Sequence, residues 1–309
     1  MPELPEVEAL RRRLLPGVVG RRVVRVRLIR PGVVTGRREP QALLRGAAIA
    51  DIHRCGKQLA IVAEGAPHPA LCIHLGMTGS LRIADAAAAA LPRPSRSNGI
   101  RRRRAAPTAP QPPSTPVELG RPRVHHVHIV WIFDDGTRLF FRDPRRFGGV
   151  WTYPSVDALA AARWHHLGPD ALTIRPAELA RRLCCTRRPI KAALLDQTIL
   201  AGLGNIYVDE LLHAARIHPL TPANALHPDS PRRLVERLRR LLSRAIEAGG
   251  STFRDYVSSN GEPGNFQQRH RVYGRAGEPC TRCRLPLQDL RIIGRQTVFC
   301  AACQANPDR

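Results

Sequence analysis

The chain has 309 residues, with 49 Lys and Arg against 25 Asp and Glu, for a formal net charge of +24. That length supports two or three domains, each with its own core. Such an excess of positive charge implies a polyanionic partner, most often nucleic acid, because each cation that meets a phosphate releases counterions. No stretch approaches the roughly 18 consecutive apolar residues of a membrane-spanning helix, and the acidic N-terminus is unlike a signal peptide. A soluble intracellular protein is the expectation.

The chain opens MPELPEVEAL. Leu4, Val7, Leu10 and Leu14 recur at helical spacing, and Pro16-Gly17 stops the pattern. A small second residue lets the initiator methionine be trimmed, which would leave the secondary amine of Pro2 at the chain start. An α-amino group titrates near 7.7–8.0, so roughly a quarter of it is neutral near pH 7.4, against about a thousandth of a lysine. A terminal Pro amine is therefore ready for imine chemistry, with Glu3 beside it able to move a proton. A proline at a helix start with acids in its first turn is also ordinary helix design. On these residues alone both readings stay open.

VVRVRLI (23–29) alternates apolar and basic residues as a half-buried strand does. Strand candidates continue with QLAIVAE, ALCIHLG, SLRI, HHVHIVWIF, TRLFFR and GGVWTY, separated by turns such as DDG (134–136). Residues 84–123 hold AAAAA, RRRR, eight prolines and eight arginines against Asp85 and Glu118, and so carry +6 of the net charge. That composition cannot build a core, and a disordered insertion is expected there. Residues 1–155 thus read as a β-rich domain of two packed sheets with one leading helix.

From residue 156 the period changes. VDALAAARW, AELARRLC, IKAALLD, IYVDELLHAAR and RRLVERLRRLLSRAIEA all read as helices, giving a helical domain over 156–268 with a polar loop at about 250–266. The remaining residues, 269–309, carry CTRC and CAAC.

Cys280, Cys283, Cys300 and Cys303 have the paired spacing of a structural four-thiolate zinc site. LRIIGRQTVF between the pairs suggests a hairpin with Arg295 at its tip. GLGNIYVDE (202–210) joins a glycine turn to a helix start that favours a phosphate, with Asn205 as cap or donor and Arg187, Arg188 and Lys191 just upstream. RDPRRFGG (142–149) and HLGMTGS (74–80) are turns carrying Arg145, Phe147 and Met77. Such residues suit wedges that enter distorted DNA, although composition by itself does not require it.

Together, PELPEVE, Gly56-Lys57, HLGMTGSLR (74–82), DDGTRLFFRDPRRFG (134–148), IKAALLDQTILAGLGNIYVDELL (190–212), GGSTFRDYV…GNFQ…VYGRAGEPC and GRQTVFC resemble the formamidopyrimidine-DNA glycosylases. These are bacterial base-excision enzymes for oxidised purines, and the matches run in the family's order over nearly the whole chain. The resemblance implies an α+β multidomain fold: a two-layered β-sandwich with a leading helix, a helix–two-turns–helix domain and a zinc-finger hairpin. It implies a monomer holding double-stranded DNA with oxidised bases or abasic sites in the cleft between, in the bacterial cytoplasm at the nucleoid, with one structural zinc ion and no redox or nucleotide cofactor.

Residue by residue, Pro2 would attack C1′ and form an imine. Glu3 would open the sugar and transfer protons, Lys57 would serve β-elimination and phosphate contact, and Arg295 would grip phosphates and serve δ-elimination. Met77, Arg145 and Phe147 would fill the gap left by the flipped base. His74, His126, Arg187, Lys191 and Asn205 match DNA- or phosphate-contacting positions, and the 250–266 loop would cover the lesion. Val127 and Gln296 depart from the family pattern, and the 84–123 insertion is unusually long. The rival readings are an endonuclease VIII-like enzyme for oxidised pyrimidines, against which PELPE rather than PEGPE argues, and a catalytically silent damage-binding protein.

Overall fold

The computed structural model describes residues 1–84, 126–251 and 264–305. The expected insertion from residue 85 onward and the lesion-covering loop between residues 252 and 263 lie outside them.

Helix α1 (Leu4–Val18) leads, and runs past Pro16-Gly17 by one residue. Nine strands follow: β1 (Val23–Leu28), β2 (Val34–Thr35), β3 (Ile49–Cys55), β4 (Gln58–Ala63), β5 (Ala70–His74), β6 (Ser80–Ala84), β7 (Val127–Phe133), β8 (Arg138–Arg142) and β9 (Gly149–Tyr153). They form two sheets, a four-stranded one ordered β1-β7-β8-β6 and a five-stranded one ordered β2-β9-β5-β4-β3. Every neighbour pair is antiparallel except β2 with β9.

The alternation along β7 and β8 decides what is buried between the sheets. Ile129, Trp131, Phe133, Leu139 and Phe141 point inward against Leu59, Ile61, Leu71, Ile73 and Val150. Val127, Val130 and Phe140 form a small apolar patch on the outer face instead. Burial of these side chains supplies the layer's stability, at roughly 1.5–3 kcal/mol for each large one. Trp131 also donates its indole N–H to the Leu43 carbonyl at 3.0 Å.

The helical part contains α2 (Val156–Leu159), extended by one wide turn to Trp164, then α3 (Pro176–Cys184), α4 (Ile190–Leu195), α5 (Asn205–Ala215) and α6 (Ser230–Glu247). Its core gathers Leu179, Ile190, Leu194, Tyr207, Leu211, Leu238 and Leu242. Leu4 belongs to this helical core while Val7, Leu10 and Leu14 belong to the sandwich core. One helix therefore links the two parts, with its N-terminus at their junction. The last unit is a hairpin of β10 (Gln288–Ile292) and β11 (Arg295–Phe299).

A charged network fastens the same junction. Arg54, at the end of β3, binds Asp170 through two N–H bonds of 2.6 and 2.9 Å and Glu8 of α1 at 3.0 Å. Asp170 also accepts the Gly56 N–H at 3.0 Å, which fixes the turn that presents Lys57. Burial alone would raise the Glu8 carboxyl, but hydrogen bonds from Arg11, Arg12 and Arg54 outweigh it and hold it at about 2. With the folded value below the ordinary 4.5, Glu8 adds stability above about pH 4.5 and loses it as pH falls toward 2. Replacing Glu8 by Gln is expected to remove about 3 kcal/mol of stability at neutral pH and to flatten the acid limb of the stability curve. Denaturant titrations of both proteins between about pH 5 and 3 check this; parallel curves would refute it.

Candidate active site

The N-terminus of α1 meets the N-terminus of α5 head to head. Leu4 N–H donates to the Gly202 carbonyl at 3.0 Å. The Glu3 carboxylate accepts Gly204 N–H at 2.6 Å and Ile206 N–H at 3.0 Å, with Tyr207 N–H at 3.5 Å. These are free donors of the first turn of α5, where the helix dipole also favours an anion. Gly204 has to be glycine, because a Cβ there would run into the Glu3 carboxylate. Gly202 (φ +109°) brings its backbone against Leu4 in the same way. The GLG turn is thus a seat for Glu3.

Glu6 sits one helical turn on and is also buried. It accepts Glu3 N–H at 2.8 Å, Tyr207 O–H at 2.6 Å and Ser251 N–H at 2.7 Å. Burial and the neighbouring Glu3 nonetheless push its carboxyl up to about 7. Burial raises Glu3 as well, against the opposing charge of Lys57 and its three backbone donors. Lys57 moves the other way, since desolvation and Arg295 lower it more than Glu3 and Glu6 raise it. Pro2, Glu3, Lys57, Met77, Arg145 and Arg295 all line one cleft of about 620 Å³, together with Asn205, Tyr273 and Ile293. Residues from all three parts of the chain converge there.

The wedge residues are held by packed turns. Met77 is 40% exposed and Phe147 56% exposed, in a protein that buries most of its large apolar side chains. The Arg145 guanidinium lies 4.8 Å from the centre of the Phe147 ring. Gly76 packs directly on the backbone of Phe147 and Gly148, so the two turns move as one. Fully buried Asp143 joins them by accepting Thr78 O–H at 2.5 Å and Gly148 N–H at 2.7 Å. Thr78 Oγ1 in turn accepts Arg145 N–H at 3.1 Å.

His74 takes Gly76 N–H on Nδ1 at 3.1 Å, which leaves its proton on Nε2. Burial, with Arg163 and Lys57, pushes it down to about 4, so it is a neutral donor at physiological pH. His126 is exposed in a left-handed conformation and does not line the cleft. Its neighbour Val127 packs with Val130 and Phe140, a setting that suits valine. His128 carries the structural contact instead, with Nε2 at 2.8 Å from the Asp143 carbonyl.

The zinc hairpin is fixed from behind. Lys191 is wholly buried, with its ammonium 2.6 Å from Asp209 and 3.0 Å from the Gln296 carbonyl. Asn205 Nδ2 donates to the same carbonyl at 2.9 Å, and Asp209 accepts Val298 N–H at 3.1 Å. The charge of Lys191, expected at a DNA- or phosphate-contacting position, is enclosed and paired within the protein. In this position it anchors the hairpin next to Arg295. Arg187 is exposed on the α3–α4 connection and stands apart from the cleft.

The sulfurs of Cys280, Cys283, Cys300 and Cys303 lie within 4.8 Å of one another. Four thiolates about 2.3 Å from one tetrahedral ion are about 3.8 Å apart, so zinc fits this set. Backbone N–H groups of Arg282 and Cys303 point at Cys280 and Cys300 at 3.4 Å, as suits thiolate ligands.

Sequence reading missed Tyr207, Ser251, Asp143, Thr78, His128 and Asp209. Each acts through a partner distant in the chain, and no local spacing marks it.

Three family models match in chain order. The formamidopyrimidine-DNA glycosylase N-terminal domain covers residues 1–150, the formamidopyrimidine-DNA glycosylase H2TH domain 167–257, and the zinc finger found in FPG and IleRS 277–306. Among curated relatives, the formamidopyrimidine-DNA glycosylase of Geobacillus kaustophilus is 38% identical, covering 98% of this chain and 100% of the relative. That of Bacillus subtilis is 36% identical, covering 98% and 99%. Among solved structures, MutM (Fpg) from Thermus thermophilus superimposes with a TM-score of 0.76 at 36% identity, covering 98% of each chain. Lactococcus lactis Fpg in complex with an abasic-site DNA gives 0.78 at 32%, covering 98% of this chain and 100% of that one. With its described sandwich, helical unit and zinc hairpin all matched, the chain belongs to the formamidopyrimidine-DNA glycosylase family.

Proposed function

We propose that this chain is a bifunctional DNA glycosylase and abasic-site lyase of base excision repair that removes oxidised purines from duplex DNA. The observation that carries this reading is the single cleft that holds Pro2, the seated Glu3, Lys57 and Arg295 beside the Met77–Arg145–Phe147 wedge. The working parts are residues 1–155, 156–268 and 269–309. The place of action is the bacterial cytoplasm, at the nucleoid.

The chemistry follows from the amine. While Met1 is attached, the Pro2 nitrogen is a tertiary amide and has no nucleophilic pair to offer. Once Met1 is removed, the neutral amine attacks C1′ of a flipped nucleotide. The C1′–N bond breaks, and the base leaves with that electron pair. The attached nitrogen loses its proton, and Glu3, which burial makes easier to protonate than an ordinary carboxylate, gives a proton to the ring oxygen, so that the ring opens to the iminium. The iminium draws electrons and acidifies the C2′ proton, whose loss expels the 3′ phosphate. A second elimination expels the 5′ phosphate, with Lys57 and Arg295 holding the two phosphate groups.

Extruding the base costs a few kcal/mol; Met77 and Phe147 fill the space, and Arg145 bonds the orphaned base. His74 donates from Nε2, Asn205 and Arg187 add polar contacts, and His126 approaches from the sandwich edge. Zinc, held by the four cysteines, supplies structure alone, keeping the hairpin that presents Arg295 folded.

Borohydride added to enzyme and an 8-oxoguanine·cytosine duplex is expected to trap a covalent complex whose adduct maps to Pro2 by peptide mass spectrometry. No adduct, or one confined to an internal lysine, would overturn the mechanism. An enzyme that keeps Met1 should form none. Slower cleavage of that duplex than of a thymine glycol duplex would favour the pyrimidine specificity instead.

A separate expectation concerns the hairpin. Cys300→Ser should lose zinc and weaken duplex binding about tenfold or more, while the near-ultraviolet signal of Trp131 persists. Undiminished affinity in the zinc-free variant would defeat the role given to Arg295.

A further inference from the structure

A second basic cleft, of about 390 Å³, opens between α5, α6 and the segment after Gly264. Arg237, Arg240 and Arg244 of α6 line one wall, and Arg269 and Arg271 line the other. Only Arg240 has an acid, Glu236 at 2.8 Å. Among the described residues the side chains of Arg237, Arg244, Arg269 and Arg271 form no ion pair, although the charge of Arg271 is felt by Glu210 in the floor. The one acid in the floor, Glu210, is already occupied by the backbone N–H groups of Arg271, Val272 and Tyr273 at 2.9–3.0 Å. Five guanidinium groups round one hollow repel one another, and a bound polyanion is what relieves that repulsion.

This cleft shares no lining residue with the catalytic one. Its floor residues Glu210 and Ala214 lie about 140° and 180° round α5 from Asn205, at 100° per residue. They are also about 7 and 14 Å further along the helix axis. The two clefts therefore open on different faces of α5. Arg237 and Arg244 span about 10 Å along α6, a length of duplex that carries about six phosphate charges.

We propose that this cleft holds the phosphates of a second segment of duplex DNA while the first occupies the catalytic cleft. The inference rests on the DNA-repair reading above and adds a bridging activity to it. Two segments held at once would let the enzyme pass from one stretch of DNA to another without dissociating.

The test uses the full zinc-loaded chain, saturated at low salt with a donor-labelled 8-oxoguanine duplex of about 15 base pairs. An acceptor-labelled undamaged duplex of the same length is then titrated in. Wild-type enzyme should bring donor and acceptor together. The triple variant Arg237→Gln, Arg244→Gln, Arg269→Gln should weaken capture of the second duplex at least about tenfold. It should also flatten the plot of log affinity against log salt by about 2.7, or about 0.9 for each phosphate no longer neutralised.

The corresponding triple lysine variant should retain capture, and all three proteins should excise 8-oxoguanine from the first duplex at rates within about twofold. Equal capture by wild type and the glutamine variant overturns the inference. So does absence of capture by wild type, or an equal loss of affinity for the first duplex, which would assign the arginines to its flank. Excision by wild type is read in the same samples, so failure of the repair reading is seen separately.

Discussion

The seat of Glu3 on the first turn of α5 is the contact on which the rest of the site depends. A carboxylate placed two peptide bonds from the chain start is fixed by backbone donors about 200 residues away. Backbone N–H groups cannot change rotamer, so the carboxylate, and with it Pro2, is located as well as the helix itself. The Leu4–Gly202 hydrogen bond and the absence of a Cβ at Gly204 make the same approach possible. Because Leu4 belongs to the helical core and Val7 to the sandwich core, this point is also where the two parts are registered to each other. The position of Pro2 and the packing of the two parts are a single structural fact.

Around that point the supports are arranged in a second ring. Asp143 ties the Met77 and Phe147 turns together, Asp170 and Arg54 hold the Lys57 turn, and the Gln296 carbonyl holds the Arg295 hairpin through Lys191 and Asn205. Met77, Arg145, Lys57 and Arg295 line the cleft, while the polar groups that aim them sit behind it. The burial makes these supports demanding, since an unpaired polar atom there would cost about 1–3 kcal/mol.

Much of this is legible in the residues. The strands with clean alternation, such as those around Trp131 and Phe141, stand out because one face is apolar and the next residue is not. The strand Ile49–Cys55 escapes such a reading: only Ile49 and Ile52 are buried, and a register shift between Ile49 and Asp51 breaks the period. The four cysteines are legible because metal geometry imposes short local spacing. The enclosure of Lys191 is not legible, because its charged neighbours Arg187 and Arg188 suggest a basic surface. Its partner Asp209 lies 18 residues on, inside a helix that reads as ordinary. The hydrogen bonds of Tyr207 and Ser251 with Glu6 are illegible for the same reason, since each joins residues more than 200 apart.

The electrostatics of the cleft show how a strongly basic protein holds two carboxyl groups that keep their protons readily. Desolvation moves Glu3 and Glu6 up and Lys57 down, so the empty cleft resists carrying its full set of charges. In the proposed reaction, a phosphodiester held by Lys57 and Arg295 would reverse the shift of Lys57 and reinforce those of the two glutamates. Its negative charge favours the ammonium form of Lys57 and disfavours ionisation of both glutamates. In the proposed reaction, the closer the DNA backbone came, the better Glu3 would hold the proton destined for the sugar. Under the proposed mechanism it is therefore the phosphodiester held by Lys57 and Arg295 that would load the acid beside Pro2, against the opposing charge of Lys57 itself.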